Sequence, residues 1–232
     1  MNTTSKSLKR RDALRYGLWA MMAQTAFSNR KHYRMVTTWL PHLLTNSLSL
    51  LLPDVTRRLF PPRHKPRNIV EDTLVTMVGD NADYAIYAAP LALGYIVSHP
   101  RFNIYKGEWA KLRFKGVGLD AIPHTATAFA LTALIVDTLD TMGDHDAHDG
   151  VLAELVRWGD RHPALLTSAV LALITFIWEY GEYKMHVHEL ELRGDTEAIN
   201  MQWSIDDTIV DIGSNFTGCI AALLWHRQKR RR

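Results

Sequence analysis

"SIDDTIVDIGSNFTGCIAALLW", residues 204–225, joins an acidic half to an apolar one. Its second half is apolar enough to belong to a membrane span. Its first half carries Asp206, Asp207, Asp211 and Asn215. Ser204, Asp207, Thr208, Asp211 and Asn215 recur at helical spacing and so share one face. Gly218 and Cys219 continue that face with small groups, while Ile209, Val210, Phe216 and Leu223 fall elsewhere. A carboxylate stripe that ends in small residues must face protein or water, because an ionised group in hydrocarbon needs a partner.

The rest of the chain supplies similar segments. Residues 35–53, 84–100, 121–136, 163–178 and 212–225 contain no Asp, Glu, Lys or Arg. A span takes about 20 residues, so each run is slightly short by itself. Several such runs in 232 residues still point to a membrane protein, although the mean hydropathy is only −0.12. That average hides charges in blocks with apolar runs between them. The expected fold is all-α: a polytopic transmembrane helix bundle of about five spans, within bounds of four and six. Its parts are a basic lead segment over residues 1–34, a membrane domain over 35–226, and a basic tail over 227–232. Residues 7–27 have the outline of a signal with an Arg10–Arg11 pair, but the apolar stretch is short and Arg30, Lys31 and Arg34 follow at once. An amphipathic lead helix or a weak first span is the plainer reading. Both basic tails favour the cytoplasm, yet no simple threading satisfies every charged segment. Residues 69–98, kinked by Pro90, are then read as re-entrant, or one weak segment as interfacial.

The net charge of +3 does not indicate a nucleic-acid partner. The basic residues cluster at the termini and beside apolar runs, with no interleaved aromatics for base stacking. Charge in that position anchors spans at lipid headgroups. The connector that holds Tyr105 and Trp109 supplies aromatic anchors of the interfacial kind. The single cysteine, Cys219, excludes a disulfide framework and a thiolate metal site.

Partners for the stripe lie on two other helices. Asp120 and His124 are four apart at the start of one; Glu179 and Glu182 are three apart toward the end of another, with His186 four further on. Asp120, His124, Glu179, Glu182, Asp207, Asp211 and Asn215 therefore form the candidate site. Three readings stand side by side. His124, Glu179, Glu182, Asp207 and Asp211 ligate a hard divalent metal ion, which activates water or holds a phosphate headgroup. Alternatively the cluster binds a membrane lipid or polar headgroup without chemistry. Otherwise it is a hydrogen-bonded network that only locks three helices together. Asp80 and Asp83 are further candidates for the same cluster. The "GDHDAHDG" run at residues 143–150 has metal-ligand residue types but reads as an exposed acidic loop.

The order of these motifs resembles the VanZ-like and YjdF-like bacterial inner-membrane proteins. The resemblance rests on D-x-x-x-H at Asp120 and His124, the acidic pair Glu179 and Glu182, and D-x-x-x-D-x-x-x-N-x-x-G at Asp207, Asp211, Asn215 and Gly218. It covers roughly residues 80–225. It implies an integral membrane protein of the bacterial cytoplasmic membrane and cell envelope, with these polar residues at its centre. The longer acidic insert at 140–161 and the basic N-terminal region depart from that pattern.

Overall fold

A computed structural model describes residues 3–61, 68–81, 84–143, 151–194 and 203–230, with side chains from residue 12 onward, Leu152 excepted. The described residues form eight α-helices, three short 3-10 or π turns and one hairpin of two two-residue strands. The helices are α1 (Thr3–Tyr33), α2 (Leu40–Leu59), α3 (Ile69–Leu74), α4 (Tyr84–Ile96), α5 (Ala121–Gly143), α6 (Val151–Arg161), α7 (Pro163–Arg193) and α8 (Ile205–Lys229). The fold is an all-α bundle. Helices α5, α7 and α8 are long and apolar enough to cross a membrane.

The distribution of apolar side chains argues for lipid around α7 and α8. Leu173, Phe176 and Ile177 on α7 and Ile209, Ile212, Phe216 and Leu224 on α8 are exposed, Phe176 by 69% and Leu224 by 61%. The faces turned inward carry Thr167, Glu179, Asp211, Ser214, Gly218, Cys219 and Ala222. Large apolar groups outside and small or polar groups inside is the reverse of a water-soluble protein, and it is what hydrocarbon surroundings require. The chain is accordingly read as an integral membrane protein.

The other runs of low charge take different forms. Residues 35–53 divide into a 3-10 turn at Val36–Thr38 and the first part of α2, which contains Pro53. Residues 69–98 break into α3, a π-helical turn at Val75–Gly79, and α4. The 13 residues of α4 reach about 20 Å, short of a full crossing. The polar segment after residue 180 continues α7 as helix to Arg193, where Gly194 adopts φ 67° and closes it. The lead segment is the continuous helix α1. Its Leu18, Met22 and Ala26 join Leu50, Met77, Val78, Tyr84, Ala88, Ala92, Tyr95 and Ile96 in the main apolar core.

Helix directions follow from pairs of contacts. Arg15 meets Asp54 at one end of α1, and Asn29 reaches the Thr38 carbonyl at the other, so α1 and α2 are antiparallel. Tyr84 donates to the Ser49 carbonyl and Tyr95 stacks on His42, so α4 returns against α2. Tyr87 meets Asp137 and Gly94 meets Pro123, so α5 reverses again. Helix α7 runs against α8, with Thr175 opposite Asn215 and Glu179 opposite Thr208. Helix α8 lies parallel to α5: His124 faces Asp211, Ala128 faces Gly218, and Asp137 faces His226.

Gly218 makes that last pairing close. A Cβ there would strike the Thr125 carbonyl and lie 2.9 Å from the Phe129 nitrogen. Backbones approach this closely only where a side chain is missing, which is the usual device for packing helices in lipid.

The parallel pair gives the bundle two distinct ends. The hairpin end holds Ser98–Asp120, the start of α5 and α8, and the later turns of α7. The tail end holds the close of α5 and α8, α6, and the start of α7. Strands Arg113–Phe114 and Val117–Gly118 pair antiparallel at the hairpin end, joined through Lys115 and Gly116 at φ 51° and 87°. Two successive positive φ values make the tight turn whose twist suits a hairpin.

Candidate functional site

Helix α8 begins at the hairpin end with Ser204 as its cap, whose hydroxyl accepts the Asp207 N–H at 3.2 Å. Asp206 and Asp207 occupy the first turn, where the helix dipole favours acids. The stripe read from the sequence points inward: Asp211 is 4% exposed, and Ser214, Gly218, Cys219, Ala222 and His226 are buried along the same face. Leu223 also turns inward and packs beside Ala128, Leu171 and Cys219.

Opposite the stripe, Asp120 stands just before α5. Its Oδ1 accepts the Ala121 N–H at 3.0 Å, and the carboxylate lies where a side chain at Gly118 would be. One turn on, His124 Nε2 lies 3.5 Å from Asp211 Oδ1. From α7, Glu179 Oε2 accepts a hydrogen bond from Thr208 at 2.6 Å, and Thr175 Oγ1 accepts one from Asn215 at 3.1 Å. The carboxylates of Asp207, Asp120, Glu179 and Glu182 all act electrostatically on Asp211. Asp120, His124, Glu179, Glu182, Asp207 and Asp211 therefore gather at one end of α5, α7 and α8, while Asn215 lies a turn further along α8 against Thr175.

The charge in this cluster is one-sided. It has five carboxylates, and His124 is the basic group that reaches Asp211. Arg113, on the hairpin, acts on Asp207 from the rim. Glu179 is 8% exposed, and its Oε1 has no hydrogen-bond partner among the described residues; neither has Asp211 Oδ1. A buried, unpartnered carboxylate oxygen costs free energy unless it protonates or meets a donor.

Tyr105 belongs to this site, whereas its sequence context reads only as that of an interfacial anchor. Its hydroxyl donates to the Gly94 carbonyl at 3.0 Å. The residue is 38% exposed as a whole, but desolvation at its hydroxyl pushes the phenol above its ordinary range, and Asp120, Asp211 and Glu182 push it further. His186 instead accepts the Trp203 N–H at 3.4 Å. Asp80 is exposed beyond the π-turn, whose Gly79 carbonyl is held by Arg57, at the tail end. Asp83 and residues 144–150 lie outside the described residues.

Among the described residues, His124, Glu179, Glu182, Asp207 and Asp211 do not form a group of three whose donor atoms all lie within 4.8 Å of one another; Asp137, Asp140 and His226 at the tail end do. Sequence reasoning passes over these three because they flank the uncharged runs. A signal is present all the same: His226 is four residues beyond Ala222 and so continues the α8 stripe.

A third polar cluster ties α1 to α2. The buried Arg15 guanidinium bonds Asp54 at 2.9 Å, Asp12 at 2.8 Å and the Leu50 carbonyl. Arg57 adds a 3.1 Å contact to Asp12. Burial works to raise both carboxyls, but hydrogen bonds from Arg57 and Arg15 hold Asp12 below its ordinary value, and those from Arg15 and Tyr16 do the same for Asp54.

Comparison with protein-family models, curated proteins and solved structures gives no match to this chain.

Proposed function

We propose that the hairpin-end cluster is a binding site for the headgroup of a polar lipid or lipid-linked envelope intermediate, entered from the bilayer. The observation that carries this reading is the pair of buried carboxylate oxygens, on Asp211 and Glu179, that lack a hydrogen-bond donor among the described residues. An anionic pocket with Arg113 at its rim selects a positively charged group, because two like charges inside a low-dielectric site repel strongly. The matching ligand carries an ammonium, as in an ethanolamine headgroup or an amino sugar. The resemblance to VanZ-like and YjdF-like proteins supports a place in a bacterial cytoplasmic membrane.

The test is native mass spectrometry of the detergent-purified protein with short-chain phosphatidylethanolamine, phosphatidylcholine and phosphatidylglycerol. Phosphatidylethanolamine should be retained best, and Asp211→Asn should reduce that retention at least tenfold with the helical content unchanged. Equal retention of phosphatidylglycerol, or indifference to Asp211→Asn, would remove the proposal.

A structural reading has its own support, since Thr208–Glu179 and Asn215–Thr175 cross-link α8 to α7. It would be favoured if Asp211→Asn lowered the melting temperature sharply and no lipid discrimination were found.

A further inference from the structure

The tail end of the bundle carries a second polar centre, unrelated to the site just described. His226 is 6% exposed, on α8, and its imidazole is wedged between two carboxylates of α5. Nδ1 lies 3.5 Å from Asp137 Oδ1, and Nε2 lies 3.4 Å from Asp140 Oδ2. Both distances exceed the ordinary hydrogen-bond range, and neither ring nitrogen has a hydrogen-bond partner among the described residues. Asp137 is buried as well, at 8% exposure. A buried imidazole with two unused nitrogens aimed at two carboxylates is an expensive arrangement if nothing joins them.

The gaps are too long for a hydrogen bond, and one ring nitrogen together with one oxygen of each aspartate lie within 4.8 Å of one another, close enough to meet a single cation, so that one of the two gaps is an edge of its coordination shell. Ligand atoms about 2.0–2.1 Å from a tetrahedral zinc-class ion lie about 3.3–3.4 Å from one another. That imidazole nitrogen and one oxygen from each aspartate complete a three-ligand set.

The surrounding residues hold the carboxylates from behind. Tyr87 donates to Asp137 Oδ2, and Lys229 Nζ sits 3.5 Å from the same oxygen. Arg230 bonds Asp140 Oδ1, reaches Oδ2 through Nε at 3.3 Å, and shares its charge with Asp160 at 2.9 Å. The oxygens turned toward the ring are Asp137 Oδ1 and Asp140 Oδ2. Groups that orient ligating carboxylates in this way are the normal outer shell of a metal site. Lys229 and Arg230 are half exposed. Three aspartates against these two cations leave a net negative charge for a divalent ion to meet.

We infer that Asp137, Asp140 and His226 form a binding site for a divalent cation of the zinc class at the tail end of the α5–α8 contact. Mixed imidazole and carboxylate donors suit zinc, and three protein ligands leave a fourth position for water. By joining the last turns of two parallel helices, the ion would fix their ends.

The test uses the full-length, detergent-purified protein, stripped with a chelator and titrated with zinc chloride, with metal content measured after gel filtration. One zinc per chain is expected. Asp140→Asn and His226→Ala should each weaken binding at least tenfold. Arg230→Ala should leave binding intact or tighten it, since that guanidinium competes for Asp140. His124→Ala and Asp211→Asn should not change it, which separates this site from the hairpin-end cluster. Cobalt substitution gives a readout independent of stability: visible absorption bands of a tetrahedral ion should appear in the wild type and vanish in Asp140→Asn. Sub-stoichiometric zinc, or zinc that survives both ligand substitutions, would overturn the inference.

Discussion

His124 Nε2 faces Asp211 Oδ1 across the α5–α8 contact at 3.5 Å, about two turns before Gly218 brings the two backbones together. The polar pair and the glycine belong to one device. Close approach at Gly218 sets the distance between the helices, and that distance decides whether the imidazole can reach the carboxylate.

Replacing Gly218 should therefore disturb the site from a distance. Gly218→Val places a branched side chain against the Thr125 carbonyl and the Phe129 nitrogen. Overpacking of this kind costs about 1–3 kcal/mol. The expected outcome is a lower melting temperature in detergent together with weaker retention of an ammonium lipid. Unchanged melting would show that α5 and α8 do not pack this closely.

Thr208→Val tests the cross-link between α7 and α8. It keeps the shape but removes the donor to Glu179 Oε2, and Oε1 already lacks one among the described residues. Leaving the carboxylate wholly without donors should cost about 1–3 kcal/mol. The double variant Thr208→Val with Glu179→Leu should recover most of that loss, measured as thermal midpoints in one detergent.

Gly118→Ala should act on Asp120 alone. The new methyl group would collide with the Asp120 carboxylate, which holds the Ala121 N–H at the start of α5. Loss of that bond should cost about 1 kcal/mol, the usual worth of a helix cap. Hydrogen exchange confined to the first turn of α5 would register it; protection identical to the wild type would count against the geometry.

The Arg15 cluster predicts how stability depends on acid. Hydrogen bonds from Arg15, with Arg57 at Asp12 and Tyr16 at Asp54, outweigh burial and hold both carboxyls below their ordinary value. A depressed carboxyl pKa contributes stability that is present above the unfolded value and is lost as pH falls through the folded one. The contribution of this cluster to the thermal midpoint should therefore be constant above about pH 5 and decline below about pH 4. Arg15→Met should destabilise the fold at neutral pH, by less than the roughly 3–5 kcal/mol of a wholly buried pair because Asp12 and Asp54 are partly exposed, and should flatten the acid limb. An acid limb unchanged in Arg15→Met would assign the acid sensitivity to other carboxylates.

Much of the hairpin-end site is legible in the amino-acid sequence. Asp207, Asp211, Asn215 and Gly218 fall on one face by helical spacing alone, and the inward stripe of α8 follows that reading. Tyr105 escapes because it sits in a connector with no period, so nothing local assigns it a direction. His226 escapes because the small residues Gly218 and Cys219 look like the end of the stripe, although the spacing carries on through Ala222. Asp137 and Asp140 lie at the end of an apolar run, where an acid reads as solvated unless a partner is known.

The all-α class, the membrane character and the shared face of the α8 polar residues follow from the amino-acid sequence. Those properties are local: helical period sets the angle of a side chain about its own axis, and the run of apolar residues sets its solvent. The tertiary structure alone decided that α5 and α8 lie parallel. That placed Asp211 against His124 at one end and His226 against Asp137 and Asp140 at the other. Direction and depth depend on contacts between distant segments, above all the close approach at Gly218, and no period within one helix encodes them.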